Sequence, residues 1–412
     1  MKKLIALVLA AVLCLTACAA LADGLKVGVI LIGDETEGYT LAHMNGIKEA
    51  AANVGLADNQ IIWKYTVPED QTVYDSAVDL IGQGCTLIIG NSYGHQTYLD
   101  LVAEEFPETT VVSMTGDFAA ISGKPNFKNG FTKIFQARYV SGVVAGMKVA
   151  ELLESGELSA DKQPDSFDAD GNVKIGYVGA FPYAEVVSGY TAFFLGIRSV
   201  VPTVSMEVEY TNSWFDIDKE AAAAEALIAK GCVIIGQHAD STGAPAATQK
   251  QLDAGKICYS VGYNIDMLPT APTAALVSPT NEWSVCYTDL FTAALNGEDL
   301  PVDWAKGFEA NAVALTDLGP SVAAGTAEKV AEIEAALADG SLKVFDVNTF
   351  TVGGETVTTC PVDMSFIDFT TMTAIYEGET IEAIVDGAFA ESEFRSAPYF
   401  ALRIDGITEN AQ

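Results

Sequence analysis

With 412 residues, half of them hydrophobic, the chain has apolar material for a large interior, which at this length divides into two domains. Its 55 acidic against 22 basic residues give a net charge of −33, a field that repels nucleic-acid phosphates and disfavours anionic ligands. Beyond Cys14 and Cys18 there remain Cys85, Cys232, Cys258, Cys286 and Cys360, an odd number without a C-x-x-C pair, so the sequence indicates buried thiols rather than a disulfide framework or a zinc site.

The N-terminus, MKK followed by LIALVLAAVLCL, has the cationic start and short apolar stretch of a secretory signal. Leu15-Thr16-Ala17-Cys18 resembles the bacterial lipobox, which implies a signal over residues 1–17 and lipidation of Cys18; cleavage after Ala22 is the alternative. Removing residues 1–17 takes away Lys2 and Lys3 and no acid, leaving 20 bases against 55 acids, or −35. No later segment offers ~18 uninterrupted apolar residues. The expectation is an exported chain anchored to the outer face of the cytoplasmic membrane through Cys18.

Along the chain the pattern repeats. Lys26-Val27-Gly28-Val29 opens one copy and Lys174-Ile175-Gly176-Tyr177 a second, and LIGQGCTLIIG (80–90) answers LIAKGCVIIG (227–236). In each copy an apolar strand leads through a polar loop to an amphipathic helix, a second helix stops at Gly-Cys, and a buried strand emerges into polar residues. Strands such as VGVILIG, TLIIG, KIGYVGA and CVIIG alternating with helices predict an α/β fold of two Rossmann-like lobes with parallel sheets. Ligands of such sheets sit at the carboxyl ends of the strands, so two facing lobes would share one cleft.

The loops leaving those strands are rich in aromatic and polar side chains. They carry Tyr39 and His43 after the first strand, and Asn91, Ser92 and Tyr93 after TLIIG. The second copy supplies Phe181 after KIGYVGA, Trp214 and Asp216 ahead of an alanine-rich helix over 217–230, Asp240 after CVIIG, and Asn264 and Asp266 after ICYSVGY. This set suits a flat, neutral or cationic, hydrogen-bonding molecule held by stacking, with its N–H groups donated to carboxylates. His238 reads as a neutral side chain satisfied in its loop. Asp168-x-Asp170-Gly-Asn172 has a calcium-loop look, but Gly179 stands where such a loop needs its bidentate Glu, so neither metal nor cofactor is expected.

One motif points to an enzyme. Gly90-Asn91-Ser92-Tyr93-Gly94 fits G-x-S-x-G between a strand and a helix, as a serine esterase would require. Only His238 lies far enough downstream to complete a triad, and the repeat places it in the other lobe, so the chain is expected not to be an enzyme. The absence of G-x-x-x-x-G-K-[ST] likewise separates it from a transport ATPase.

The segments GYTLAHMNGIKEAA, FQARYVSGVVAGMKVAE, KIGYVGAFPYAEVVSGYTAFFLGIRSVVP, NSWFDIDKEAAAAEALIAKG, QHADS and GYNIDM together resemble the basic membrane protein family of substrate-binding lipoproteins, the purine nucleoside receptor type of ABC importers. The first loop reads GDETEGY where the nucleoside-binding branch carries a DxSFN-like loop, and the W-F-D and Q-H-x-D-S pieces resemble the nucleobase-binding branch. The resemblance implies a type I periplasmic-binding-protein fold whose chain crosses three times between lobes, 24–136 plus 280–304 and 137–279 plus 305–412, the last including a C-terminal extension. It implies a monomer that binds a purine nucleobase or nucleoside and delivers it to an ABC permease in the membrane. A ligand-sensing lipoprotein without transport shares every feature and stands as the alternative.

Overall fold

The computed structural model describes residues 24–368 and 373–410. The proposed signal and Cys18 lie outside the described residues. The strands of the first copy are β1 (Val27–Ile30), β2 (Ile61–Lys64), β3 (Leu87–Gly90), β4 (Thr110–Met114) and β5 (Phe127–Thr132); those of the second are β6 (Val173–Gly179), β7 (Val204–Tyr210), β8 (Ile234–Gln237), β9 (Tyr259–Val261) and β10 (Ala275–Val277). Both sets form parallel sheets in the same order, β5-β4-β3-β1-β2 and β10-β9-β8-β6-β7.

The repeat is visible in the packing. A Cβ added at Gly28 would stand 2.8–2.9 Å from Ile88 and Leu80, and one added at Gly176 would stand 2.9–3.1 Å from Ile235 and Leu227. The aligned sequence pieces therefore place the same glycine against the same pair of aliphatic side chains in each lobe. Gly84 and Gly231, which stop the second helix of each copy, both hold positive φ, 89° and 99°, a region that favours glycine.

Each sheet then receives a sixth strand, at opposite edges. Between β11 (Pro279–Asn281) and β13 (Val313–Leu315), which pair antiparallel, the chain returns to the first lobe, and β12 (Asp303–Lys306) pairs with β5. The third crossing thus falls after Lys306 rather than between residues 304 and 305, because the whole of β12 belongs to the first sheet. In the second lobe the added strand is β14 (Ile407–Glu409), parallel to β7.

The helix Ile134–Glu154 follows the first crossing and lies against Ala184–Val200 so closely that Cβ atoms at Gly142 or Gly196 would come within 2.1 Å of Phe193 O or Tyr139 O. Beyond the helix Thr326–Ala338, residues Val344, Phe345 and Phe350 join the second lobe's core, while Phe366 and Tyr376 pack on the first lobe's. The C-terminal extension expected wholly in the second lobe therefore touches both. All five described cysteines are buried and unpaired by disulfide, as the sequence indicated. No helix among the described residues is long and apolar enough to cross a membrane.

Candidate functional site

A cavity of about 580 Å³ lies where the strand ends of the two sheets face each other. Its first-lobe wall includes Glu37, Tyr39, Ser92, Tyr93 and Asp117, and its second-lobe wall Tyr183, Glu185, Trp214, His238, Asp240 and Tyr263. Ser365, Phe366, Arg395, Ala397 and Pro398 close a third side.

The aromatic face belongs to the second lobe. Trp214 is half-buried ahead of the helix Ile217–Ala229, with Phe181 edge-on at 5.2 Å and Tyr183 at 6.1 Å, and Phe181 and Tyr183 stack at 5.1 Å. The Trp214 carbonyl accepts the Asp240 N–H at 2.8 Å, which ties the tryptophan loop to the strand-end loop that brings Asp240 into the cavity. From the first lobe, Tyr93 approaches Tyr183 at 6.4 Å, so Tyr183 stands between the two loops that carry Trp214 and Tyr93.

Behind this face runs an ordered chain of hydrogen bonds. Arg138, fully buried, donates to the Tyr177 hydroxyl at 2.7 Å and to the Gln237 carbonyl at 3.1 Å, and its guanidinium lies 3.9 Å from the Tyr263 ring centre. Burial, reinforced by the Arg138 charge, pushes His238 down to about 4, so its ring is neutral across the physiological range. Burial alone would raise Glu185, but the hydrogen bond donated by His238 and the charge of Arg138 outweigh it and hold the carboxyl below its usual range. The consistent assignment has the Tyr177 hydroxyl donating to His238 Nδ1 at 3.4 Å and Nε2–H donating to Glu185 Oε2 at 2.5 Å. Glu185 Oε1 is buried without a hydrogen-bond partner, so the carboxylate has a free acceptor beside the cavity.

Asp240 differs. Burial, followed by the charges of Glu37, Glu220 and Glu185, raises it well above the usual carboxylate range and favours the protonated carboxyl. Its Oδ1 accepts from Asn264 Nδ2 at 2.8 Å, Asn264 Oδ1 accepts from Asn281 Nδ2 at 3.0 Å, and Asn281 Oδ1 accepts from Thr132 Oγ1 at 2.5 Å. This line of amides joins the site to the β11 and β5 crossings between the lobes. A neutral carboxyl there offers one donor and one acceptor.

Of the residues named from sequence, Tyr39, Ser92, Tyr93, Trp214 and Asp240 line the cavity, with Phe181 packed directly behind Tyr183 and Trp214. The others do not reach it. His43 is buried beneath Tyr39, stacked on Trp283 at 4.2 Å with Nδ1 on the Tyr287 hydroxyl at 2.6 Å. Asn91 is buried and accepts the Ile32 N–H at 2.8 Å, bracing the loop after β3. Asn264 positions Asp240 from behind. Asp216 caps its helix, Oδ1 accepting from Lys219 N at 3.0 Å, and exposed Asp266 closes a turn on Leu268 N at 2.9 Å. Asp168, taken as no calcium ligand, accepts the backbone N–H groups of Asp170 and Asn172 in a turn.

Sequence reasoning missed Glu185, Arg138, Tyr263, Asp117 and Arg395. His238, read as satisfied in its loop, does line the cavity while being held by Glu185. Ser92 Oγ donates to Glu69 Oε1 at 2.6 Å, and His95 Nε2 is engaged by the Val67 carbonyl at 2.9 Å, so no histidine meets the serine of the G-x-S-x-G match as a general base would. Among the described residues no cluster of three or more metal-ligating side chains is gathered.

Two parallel α/β lobes with three crossings around a cavity at their strand ends define the type I periplasmic-binding-protein fold. The profile of the Bmp family, described as ABC transporter substrate-binding protein PnrA-like, matches residues 27–334, and the chain belongs to that family. It is 33% identical over 276 residues to a purine-binding protein of Brucella abortus, covering 67% of this chain and 70% of that one. It is 30% identical over 298 residues, 71% of this chain and 68% of the other, to a Haloferax volcanii protein named for ABC transporter glucose binding, TsgA13. In fold it is similar to an ABC transporter solute-binding protein of Aeropyrum pernix, with a TM-score of 0.63, 14% identity, and coverage of 78% of this chain and 93% of that one.

Proposed function

We propose that this substrate-binding chain takes a purine nucleobase or nucleoside between its lobes and, anchored outside the cell through Cys18, presents it to a membrane ABC permease. The observation that carries the reading is the junction of the Trp214–Phe181–Tyr183 face with two unlike acids, Glu185 with an unpartnered oxygen and Asp240 held by Asn264. A purine edge alternates N–H donors with ring-nitrogen or carbonyl acceptors. Glu185 accepts from the former, and the Asp240 carboxyl answers both. The relative named for purine binding supports the choice.

The mechanism is closure. A ring caught on the second lobe is completed by Tyr93 and Tyr39 of the first, which draws the population toward the form a permease reads. No turnover is expected, since Ser92 is bonded to Glu69 rather than to a base. The purified protein should release a purine on denaturation, identified by mass spectrometry, and calorimetric titration should rank purines above glucose. Glucose as the only binder would replace this reading with that of the Haloferax relative. Cys18→Ser should shift the protein from the membrane to the soluble fraction; a wild type already soluble after export would remove the anchor.

A further inference from the structure

The family match ends at residue 334, yet the chain beyond it reaches the cavity. Phe366 lies edge-on to Phe118 of the first lobe at 4.2 Å and 6.4 Å from Tyr93. The Tyr376 hydroxyl donates to Asp100 Oδ2 at 2.7 Å, and Ser396 N donates to Asp303 Oδ2 at 2.6 Å. These contacts hold the segment on the first lobe while β14 fixes it to the second.

Between those holds, Arg395 and Asp117 meet inside the cavity wall. The guanidinium stands 3.5 Å from Asp117 Oδ2, with the Arg395 side chain 11% and the Asp117 side chain 6% exposed. Gln96 Oε1 accepts the backbone N–H groups of both Asp117 and Phe118, at 2.8 and 2.9 Å, which fixes the loop. The Tyr93 hydroxyl donates to Oδ2 at 3.4 Å. Asp117 Oδ1 is buried without a hydrogen-bond partner. Both residues line the cavity, and Asp117 is held by Gln96 and Tyr93 whereas Asp240 is held by Asn264, so the two acids belong to separate hydrogen-bond networks.

We propose that the segment beyond residue 334 completes the binding site, with Arg395 and Asp117 as a second contact point for a hydroxyl-bearing substituent of the ligand. A hydroxyl gives its proton to one carboxylate oxygen while accepting a guanidinium N–H, and the pair presents both functions side by side. Desolvating an ion pair at a wall is costly, and a ligand hydroxyl supplies the missing partner for the carboxylate. The inference rests on the solute-binding reading. Where that ligand is a purine, the substituent is the pentose, and Arg395 separates nucleoside from bare base.

The test titrates adenosine, adenine and glucose into the full chain as wild type, Arg395→Gln, Arg395→Lys and Asp117→Asn, with melting of the ligand-free protein as the folding control. Adenosine affinity should fall at least tenfold in Arg395→Gln and Asp117→Asn, and less in Arg395→Lys. Adenine should change by less than threefold. Trp214→Ala should weaken both purines together. An Arg395→Gln protein that melts like wild type and binds adenosine equally well overturns the proposal. If wild type binds glucose and neither purine, the purine reading fails, and this one then turns on the sugar's hydroxyls: a tenfold loss in Arg395→Gln supports it, and unchanged glucose binding overturns it.

Discussion

The two lobes share a strand order and the glycine contacts that let helices lie close to their sheets, but their strand-end loops do different things. After β3, Asn91 turns back onto Ile32, and Ser92, though at the cavity wall, gives its hydroxyl to Glu69 of its own lobe. After β8, His238 and Asp240 face the cavity, backed by Arg138, Tyr177 and Glu185. Sheet packing constrains the glycines and their aliphatic partners, whereas a strand-end loop is free to take on polar chemistry. The second lobe also carries the heavier electrostatic load. Burial first, only partly offset by hydrogen bonds, pushes two of its acids, Glu220 and Glu391, up to about 7.

If the second lobe is the gripping half, substitutions there should dominate. The largest effect is expected at Glu185→Ala, which removes the acceptor and leaves His238 without its partner. Losing a buried hydrogen bond to a charged group costs about 1.5–3 kcal/mol, so affinity should fall roughly ten- to 150-fold by calorimetry, and retained affinity would move the grip elsewhere.

Glu391→Gln tests the electrostatic load. Its folded pKa, about 7 against 4.5, means the native state holds a proton that the unfolded chain releases, so stability declines as pH rises from about 4.5 to about 7 and is level above. The amide, still in reach of Ser188 and Ser392, should raise stability at pH 8 by up to about 3 kcal/mol at 1.36 per unit, and at pH 4 by nothing. Denaturant unfolding at both pH values decides, and equal shifts would mean that the acid is ionised in the fold.

Trp214→Ala comes next. Base stacking on an aromatic side chain is worth about 1–3 kcal/mol, so binding should weaken roughly five- to 150-fold with little change in ligand-free melting. Tyr93→Ala, its first-lobe counterpart, should cost less, and the reverse order would invert the comparison. The smallest effect is expected at Asp240→Asn. A neutral carboxyl and an amide each present one acceptor and donor hydrogen, so affinity at pH 7 should stay within about threefold while Asp240→Ala loses far more. A large loss in the Asn variant would show that the ligand is read by an ionised Asp240.

The repeat, the parallel sheets and the walls at Trp214, Asp240, Tyr39, Tyr93 and Ser92 were legible because apolar periodicity and strand-end position are local properties. What escaped has physical reasons. Asp216 and Asp266 have the same sequence look whether they cap backbone N–H groups or meet a ligand. His43 and Tyr39 lie four residues apart on one helix face, and only tertiary packing put one against Trp283 and the other at the cavity. Glu185 reads as an ordinary acid in a helix's first turn. Arg395 belongs to a stretch without periodicity, and no local pattern links it to Asp117.

The opposite placement of the sixth strands has a consequence for how the chain is made. Ile407 pairs with Met206, so β7 waits about 200 residues for the neighbour that covers its outer side. Until then its row of backbone donors and acceptors is open to any other extended chain. The first sheet closes its far edge sooner, when β12 meets β5. During synthesis both lobes are therefore open to mispairing, the second for longer, and a nascent chain stalled before β14 would present a ready template for aggregation even though every residue of the Trp214 wall had already been made.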